Sequence, residues 1–158
     1  MKYSITFTAT ALKSLKGFET KTKKRIMKKI EFLAENPFTM SNVKKLVDYD
    51  ISYSMRVGDY RVLFDRDDTI KIIDIIDIRH RRESYKRSWI MLENYQIINE
   101  KGKPRFAVLD YKEFTKIQNL LTDTEMLEDF LDYMHIQKVK KRKEKKYSLQ
   151  EVKKELGV

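Results

Sequence analysis

A glycine-acid turn, Gly58-Asp59, lies between two apolar and β-branched runs, Ile51 to Val57 and Tyr60 to Asp65, and constrains the fold more than any other feature. Alternating runs joined so tightly pair as antiparallel neighbours. A third run, Thr69 to Ile78, adds a strand and carries His80-Arg81-Arg82-Glu83-Ser84-Tyr85 to the end of the same sheet. Several arginines, a histidine and a phenol thus gather on one small surface. Such a set suits a polyanion whose phosphates are gripped by guanidinium groups, and RNA is the natural candidate.

The segment before this sheet supplies its cover. Tyr3 to Phe7 alternates as a strand, Ala9 to Lys16 reads as a short helix stopped by Gly17, and a longer helix starts at Thr20. Ile26, Ile30, Leu33 and Ala34 recur there at helical spacing, while Lys21, Lys23, Lys24, Lys28 and Lys29 crowd the remaining faces. Asn36-Pro37 ends it. The expected class is α+β: a helical hairpin packed on one face of a small, mainly antiparallel sheet.

The chain after Met91 reads differently. Tyr95-Gln96-Ile97-Ile98 and Pro104-Arg105-Phe106-Ala107-Val108-Leu109 flank a turn containing Gly102, which predicts a β-hairpin. Three helix starts follow, at Asp110 with Glu113, Thr122 with Glu125, and Ser148 with Glu151, each with the spacing of a capping box. In the last, Leu149, Val152 and Leu156 share a face and Gly157 stops the helix. A hairpin and short helices over residues 91–158 bury little surface by themselves, so this segment is expected to gain its order against the first.

Charge is divided in the same place. Residues 1–90 hold 20 Lys and Arg against 12 Asp and Glu, whereas residues 91–158 hold 14 against 12, so +8 of the net +10 lies in the first part. Asp123, Glu125, Glu128, Asp129 and Asp132 form an acidic stretch without Lys or Arg, and a basic run from Lys138 to Lys146 follows. Complementary charge of this kind steers one surface onto another. Cysteine is absent and the histidines are His80 and His135, so thiol chemistry is excluded, and neither a metal nor a cofactor is expected. No window approaches eighteen uncharged apolar residues, and a cytoplasmic location without membrane contact is the expectation.

Residues 1 to about 87 resemble the RelE/ParE toxin superfamily through the starting strand, the Lys-rich helical hairpin, Lys44-Lys45-Leu46, Arg56-Val57-Gly58-Asp59-Tyr60-Arg61 and His80 through Tyr85. After a junction at 88–90, residues 91–158 resemble an antitoxin of the Phd/YefM or RelB kind, through Gln96-Ile97-Ile98, Gly102-Lys103-Pro104, Phe106 to Tyr111 and the Ser148 to Gly157 tail. The resemblance implies a toxin fused to its antitoxin, the second segment wrapping the first.

Its chemical implication is RelE-like, metal-independent cleavage of messenger RNA in the ribosomal A site, with a ribose 2′-hydroxyl attacking the adjacent phosphate. By motif position, Arg61 matches transition-state stabilisation, Arg81 phosphate contact or proton donation, and Tyr85 the base, with His80 as a second candidate base. An isolated tyrosine titrates near about 10, so nearby cations are needed to favour its phenolate. Lys44, Lys45, Arg56 and Arg82 would bind RNA, and Asp123, Glu125, Glu128, Asp129 and Asp132 would inhibit, within one chain or in a swapped dimer. Ser52 and Ser54 depart from the pattern, standing where many RelE-type toxins carry basic residues. Two other functions therefore stay open: ParE-like inhibition of DNA gyrase, and an inactive repressor that holds promoter DNA through Lys138 to Lys146. Each residue also has a plainer role, with Arg61 paired to a carboxylate, Tyr85 packed on Trp89, and His80, Arg81 and Arg82 at an exposed strand end.

Overall fold

The computed structural model describes residues 2–47, 50–81 and 95–158. Arg82, Tyr85, Trp89 and the 88–90 junction lie outside them. Strand β1 (Ser4–Thr8) leads into α1 (Ala9–Lys16) and α2 (Thr20–Glu35), followed by β2 (Val43–Lys45), β3 (Ser52–Val57), β4 (Tyr60–Asp67) and β5 (Ile72–His80). The second segment adds β6 (Tyr95–Glu100), β7 (Lys103–Leu109), α3 (Tyr111–Thr122), α4 (Thr124–Lys141), β8 (Lys146–Ser148) and α5 (Leu149–Leu156).

Six strands form one sheet in the order β2-β3-β4-β5-β1-β8. The expected α+β class holds: β2 to β5 are antiparallel neighbours, and β1 alone runs parallel to its neighbour β5. Gly58 takes φ of 61° at the β3–β4 turn, the left-handed region that a side chain disfavours. The turn sets Val57 opposite Tyr60 and Arg56 opposite Arg61, and β5 then places Arg79 opposite Arg61 and His80 opposite Tyr60.

Alternation along these strands makes two cores, one on each face. On the first face, Ile5, Phe7, Met55, Val57, Val62, Phe64, Ile73, Ile75 and Ile78 pack with Leu15, Ile26, Ile30 and Leu33 of the helical hairpin. On the second, Leu63, Ile76 and Leu46 pack with Ile136 and Val139 of α4. Fully burying an aliphatic side chain contributes about 1.5–3 kcal/mol, so α4 is bound by apolar contact as well as charge.

The tail completes the sheet. Thr6, Phe7 and Thr8 of β1 pair antiparallel with Ser148, Tyr147 and Lys146, which covers an edge that would otherwise present unpaired backbone groups. The Ser148–Glu151 capping box starts α5, and buried Val152 joins the first core. Glu144, just before β8, accepts hydrogen bonds from the Thr10 amide at 2.8 Å and the Thr10 hydroxyl at 2.6 Å, satisfying a donor in the first turn of α1. Burial opposes the Glu144 charge, but the Thr10 bonds outweigh it and hold this carboxyl below its ordinary range.

The expected hairpin is present as β6–β7, with Lys101 at φ 52° and Gly102 at φ 75° making its turn. It forms a sheet of its own. One predicted cap moves: α4 starts from Asp123, whose carboxylate accepts from the Glu125 and Met126 amides, and not from Thr122. Thr122 remains in α3, its hydroxyl donating to the carbonyls of Gln118 and Asn119. A carboxylate one position later reaches the free amides as a full charge, which outcompetes the hydroxyl.

Candidate functional site

The site is built where β2 to β5 present their second face to α4. Arg61, the second residue of β4, is only 2% exposed although arginine is rarely buried unless paired. Its Nη1 donates to Asp132 at 2.6 Å and lies 3.6 Å from Asp129, while Nη2 pairs with Glu128. Arg81 Nε stands 3.5 Å from Glu128, and Arg79 Nη1 is 3.8 Å from Asp132. Lys44 pairs with Asp129 at 2.5 Å and with Glu125 at 3.3 Å, and Arg56 reaches Glu125 at 3.3 Å. Five cations of the first segment thus meet four carboxylates of one helix.

The ridge of α4 explains why these groups meet. Glu128, Asp132, Ile136 and Lys140 recur at every fourth position and so line one side of the helix. The first two meet arginines, Ile136 enters the second core, and Lys140 pairs with Asp65 at 2.6 Å. One turn away, His135 Nε2 lies 2.7 Å from Asp77, whose other carboxylate oxygen accepts from Ser14. Charge reverses sign along the groove and along the helix together. That pattern sets the register of α4, because a slip of one turn would put Ile136 against Arg61 or Asp65 and a charged side chain into the second core.

Burial perturbs the network's protonation. Loss of water pushes the Asp132 carboxyl up from its ordinary value, and Arg61 opposes that shift incompletely. The same loss of water would lower the Arg61 value, but Asp132, Glu128 and Asp129 reverse the effect and hold the guanidinium charged. Lys44 is raised by its hydrogen bond to Asp129. Arg61 Nε and Asp132 Oδ1 are buried without a hydrogen-bond partner among the described residues.

The sequence candidates divide by face. Lys44, Arg56 and Arg61 come together beneath α4 around a cavity of 130 Å³ that Ser54, Glu125 and Asp129 also line, and Arg81 meets the same helix at Glu128. Lys45 is exposed at the next position of β2. His80 alternates to the opposite side, where its ring stands edge-on to Tyr60 at 5.2 Å. Tyr85 and Arg82 lie outside the described residues. Ser52 and Ser54 are buried, and Ser52 Oγ donates to Asp65 at 2.8 Å. In the basic run from Lys138 to Lys146, Lys140 is engaged with Asp65 and Lys146 with Asp74. Arg79 is not among the sequence candidates, yet β5 sets it opposite Arg61 and so on the same face. A larger apolar cleft of 680 Å³ lies alongside, between α3, α4 and Leu46, and its lining shares only Asp129 with this site.

The family described as ParE toxin of type II toxin-antitoxin system, parDE, matches residues 5–85. The chain belongs to this toxin family. No curated protein matches it. Solved structures similar to it include the RelBE2 toxin-antitoxin complex of Mycobacterium tuberculosis, at 26% identity over 51% of this chain and 100% of that one, with a TM-score of 0.44. The RelE-RelB complex of Pyrococcus horikoshii OT3 is 26% identical over 51% of this chain and 97% of that one, with a TM-score of 0.47. The RelB-RelE complex of Methanococcus jannaschii is 27% identical over 50% of this chain and 93% of that one, with a TM-score of 0.43. No described helix is long and apolar enough to cross a membrane, and no metal-binding cluster occurs among the described residues.

Proposed function

We propose that this chain is a RelE-like messenger-RNA endoribonuclease held inactive by its own antitoxin-like second segment. The observation that carries the reading is Arg61, buried against Glu128 and Asp132 with Asp129 beside them. Carboxylate oxygens on a guanidinium fork stand in for the oxygens of a phosphodiester, so α4 fills the place of the scissile group. Removing α4 would expose Arg56, Arg61, Arg79, Arg81 and Lys44 on one groove.

In the released toxin, the ribose 2′-oxygen attacks the neighbouring phosphorus as the bond to the 5′-oxygen breaks, leaving a cyclic phosphate. Arg61 would stabilise charge on the phosphorane oxygens, and Arg81 would hold the same phosphate or donate a proton to the leaving oxygen. Tyr85 is assigned the base, because His80 alternates away from Arg61. The chemistry in this assignment calls for no metal.

A second reading, gyrase inhibition, is favoured by the ParE family match and by neutral Ser52 and Ser54 in β3. One pair of assays separates the two. Residues 1–87 expressed alone should cut translated messenger in codon phase, and Arg61→Ala should slow cutting about 100- to 1,000-fold, the scale for a lost transition-state donor. Arrest of gyrase supercoiling without cuts would select the ParE reading. The full chain should be silent in both assays.

A further inference from the structure

The cations of α2 are left bare by the inhibitory arrangement. Lys21, Lys24, Arg25 and Lys28 stand at i, i+3, i+4 and i+7, share one helix face, and are all exposed. The structure gives them no ion pair among the described residues, although Glu31 and Glu35 of the same helix pair with Lys153 and Lys2. Like charges at these spacings repel one another, so the helix carries a cost that a bound polyanion would relieve. Because α2 covers the first face of the sheet and α4 the second, closing the cleft does not cover this ridge.

The ridge runs into an aromatic step. The Arg25 guanidinium lies beside Gly58, close enough that a Cβ there would meet its Nη2 at 2.9 Å. At that end of the sheet, Phe18 packs on Tyr60 at 4.7 Å between ring centres, and Tyr60 meets His80 at 5.2 Å. All three rings are half-buried. Arg81 follows at once, its amide donating to the Asp59 carbonyl at 2.8 Å. A line of cations ending in partly exposed rings, tilted and edge-on to one another, suits a single strand, with phosphates on the cations and bases against the rings.

We infer that this ridge and aromatic step form a second binding surface, for single-stranded RNA, which works while the nuclease cleft is shut. The inference deepens the reading of the chain as an RNA-directed toxin and takes its partner from that reading, but its test is binding and not cleavage. The inhibited chain would sit on its target before α4 is displaced, with the strand already leading toward Arg81.

The experiment uses the full chain and a fluorescent, uncleavable 2′-O-methyl oligouridylate of about 12 nucleotides, within the usual span of single-strand sites. Anisotropy should report binding that weakens with salt. The combined variant Lys21→Gln, Lys24→Gln and Lys28→Gln should bind about 100-fold more weakly near 0.1 M salt, from three lost contacts at a slope of about 0.7 each. Phe18→Leu should narrow the preference for a single strand over duplex RNA, with an unchanged urea midpoint showing that the core is intact. Unaltered binding by the triple variant, or equal binding of duplex and single strand by the parent chain, overturns the inference. Failure of residues 1–87 to cut RNA would instead remove the nuclease reading, so the two failures are distinguishable.

Discussion

The two halves of the second segment show opposite relations to the toxin domain. Residues 124–158 are woven into it: α4 closes one sheet face, β8 supplies a strand and α5 enters the first core. Residues 95–122 stand off, and apart from Leu109 every residue of β6 and β7 is exposed, with Phe106 at 58% and Val108 at 49%. Tyr111, Phe114 and Leu121 of α3 are exposed as well. A two-stranded ribbon is marginal by itself in water, whereas a helix locked by buried ions and a shared strand rises or falls with the whole domain. Wrapping was expected of all of 91–158, but the sheet contacts belong to the part after Asp123.

The contrast can be broken by substitutions on either side. Arg61→Ala in the full chain leaves Glu128 and Asp132 buried without their principal cation and should cost about 3–5 kcal/mol in urea unfolding. A loss under 1 kcal/mol, on the scale of exposed pairs, would mean that α4 is not seated as described. Ile136→Ala opens a hole in the second core and should cost about 2–5 kcal/mol, with faster amide exchange across α4. Glu144→Gln weakens the hold on α1, and a loss of about 0.5–2 kcal/mol is expected on the scale of a helix cap.

The pH dependence of that third effect has a definite sign. Because the folded Glu144 carboxyl lies below its ordinary value of 4.5, its stabilisation is present above that value and disappears as pH falls through the folded one. The Gln variant should therefore approach the parent in acid and diverge from it above 4.5. Asp132 acts oppositely: its raised value makes the folded state the better proton binder, so its contribution worsens as pH rises from 3.8 through the folded value. The smallest effect is expected on the other side of the comparison. Ile98→Ser on the exposed ribbon should change global stability by no more than about 0.5 kcal/mol.

Much of the first domain was legible because its signals are local and periodic. Gly58 fixed the turn, alternation fixed β3 to β5, and the spacing from Ile26 to Ala34 fixed α2. For α4, the expectation that its acidic residues meet the basic first segment rests on charge and not on hydrophobic pattern. Its buried stripe contains Glu128, Asp129 and Asp132, so the residues facing inward are the very ones that a hydrophobic pattern assigns to solvent. Only the partner's arginines make that burial tolerable, and they come from another part of the chain. Strands β2 and β8 were missed for a simpler reason, since Val43–Lys45 and Lys146–Ser148 are too short to show a period and exist because a neighbour offers an edge. Arg61 and Arg81 both lie at Glu128 on one face, whereas strand alternation sets His80, the second candidate base, on the other.

The pairing of Thr6 with Ser148 spans 142 residues, the difference between their numbers. At a synthesis rate of about 5–20 residues per second, the first strand is made about 7–30 s before its outer neighbour. For that interval β1 has no β8 beside it, and the six-stranded sheet is completed only by a strand made close to the end of the chain.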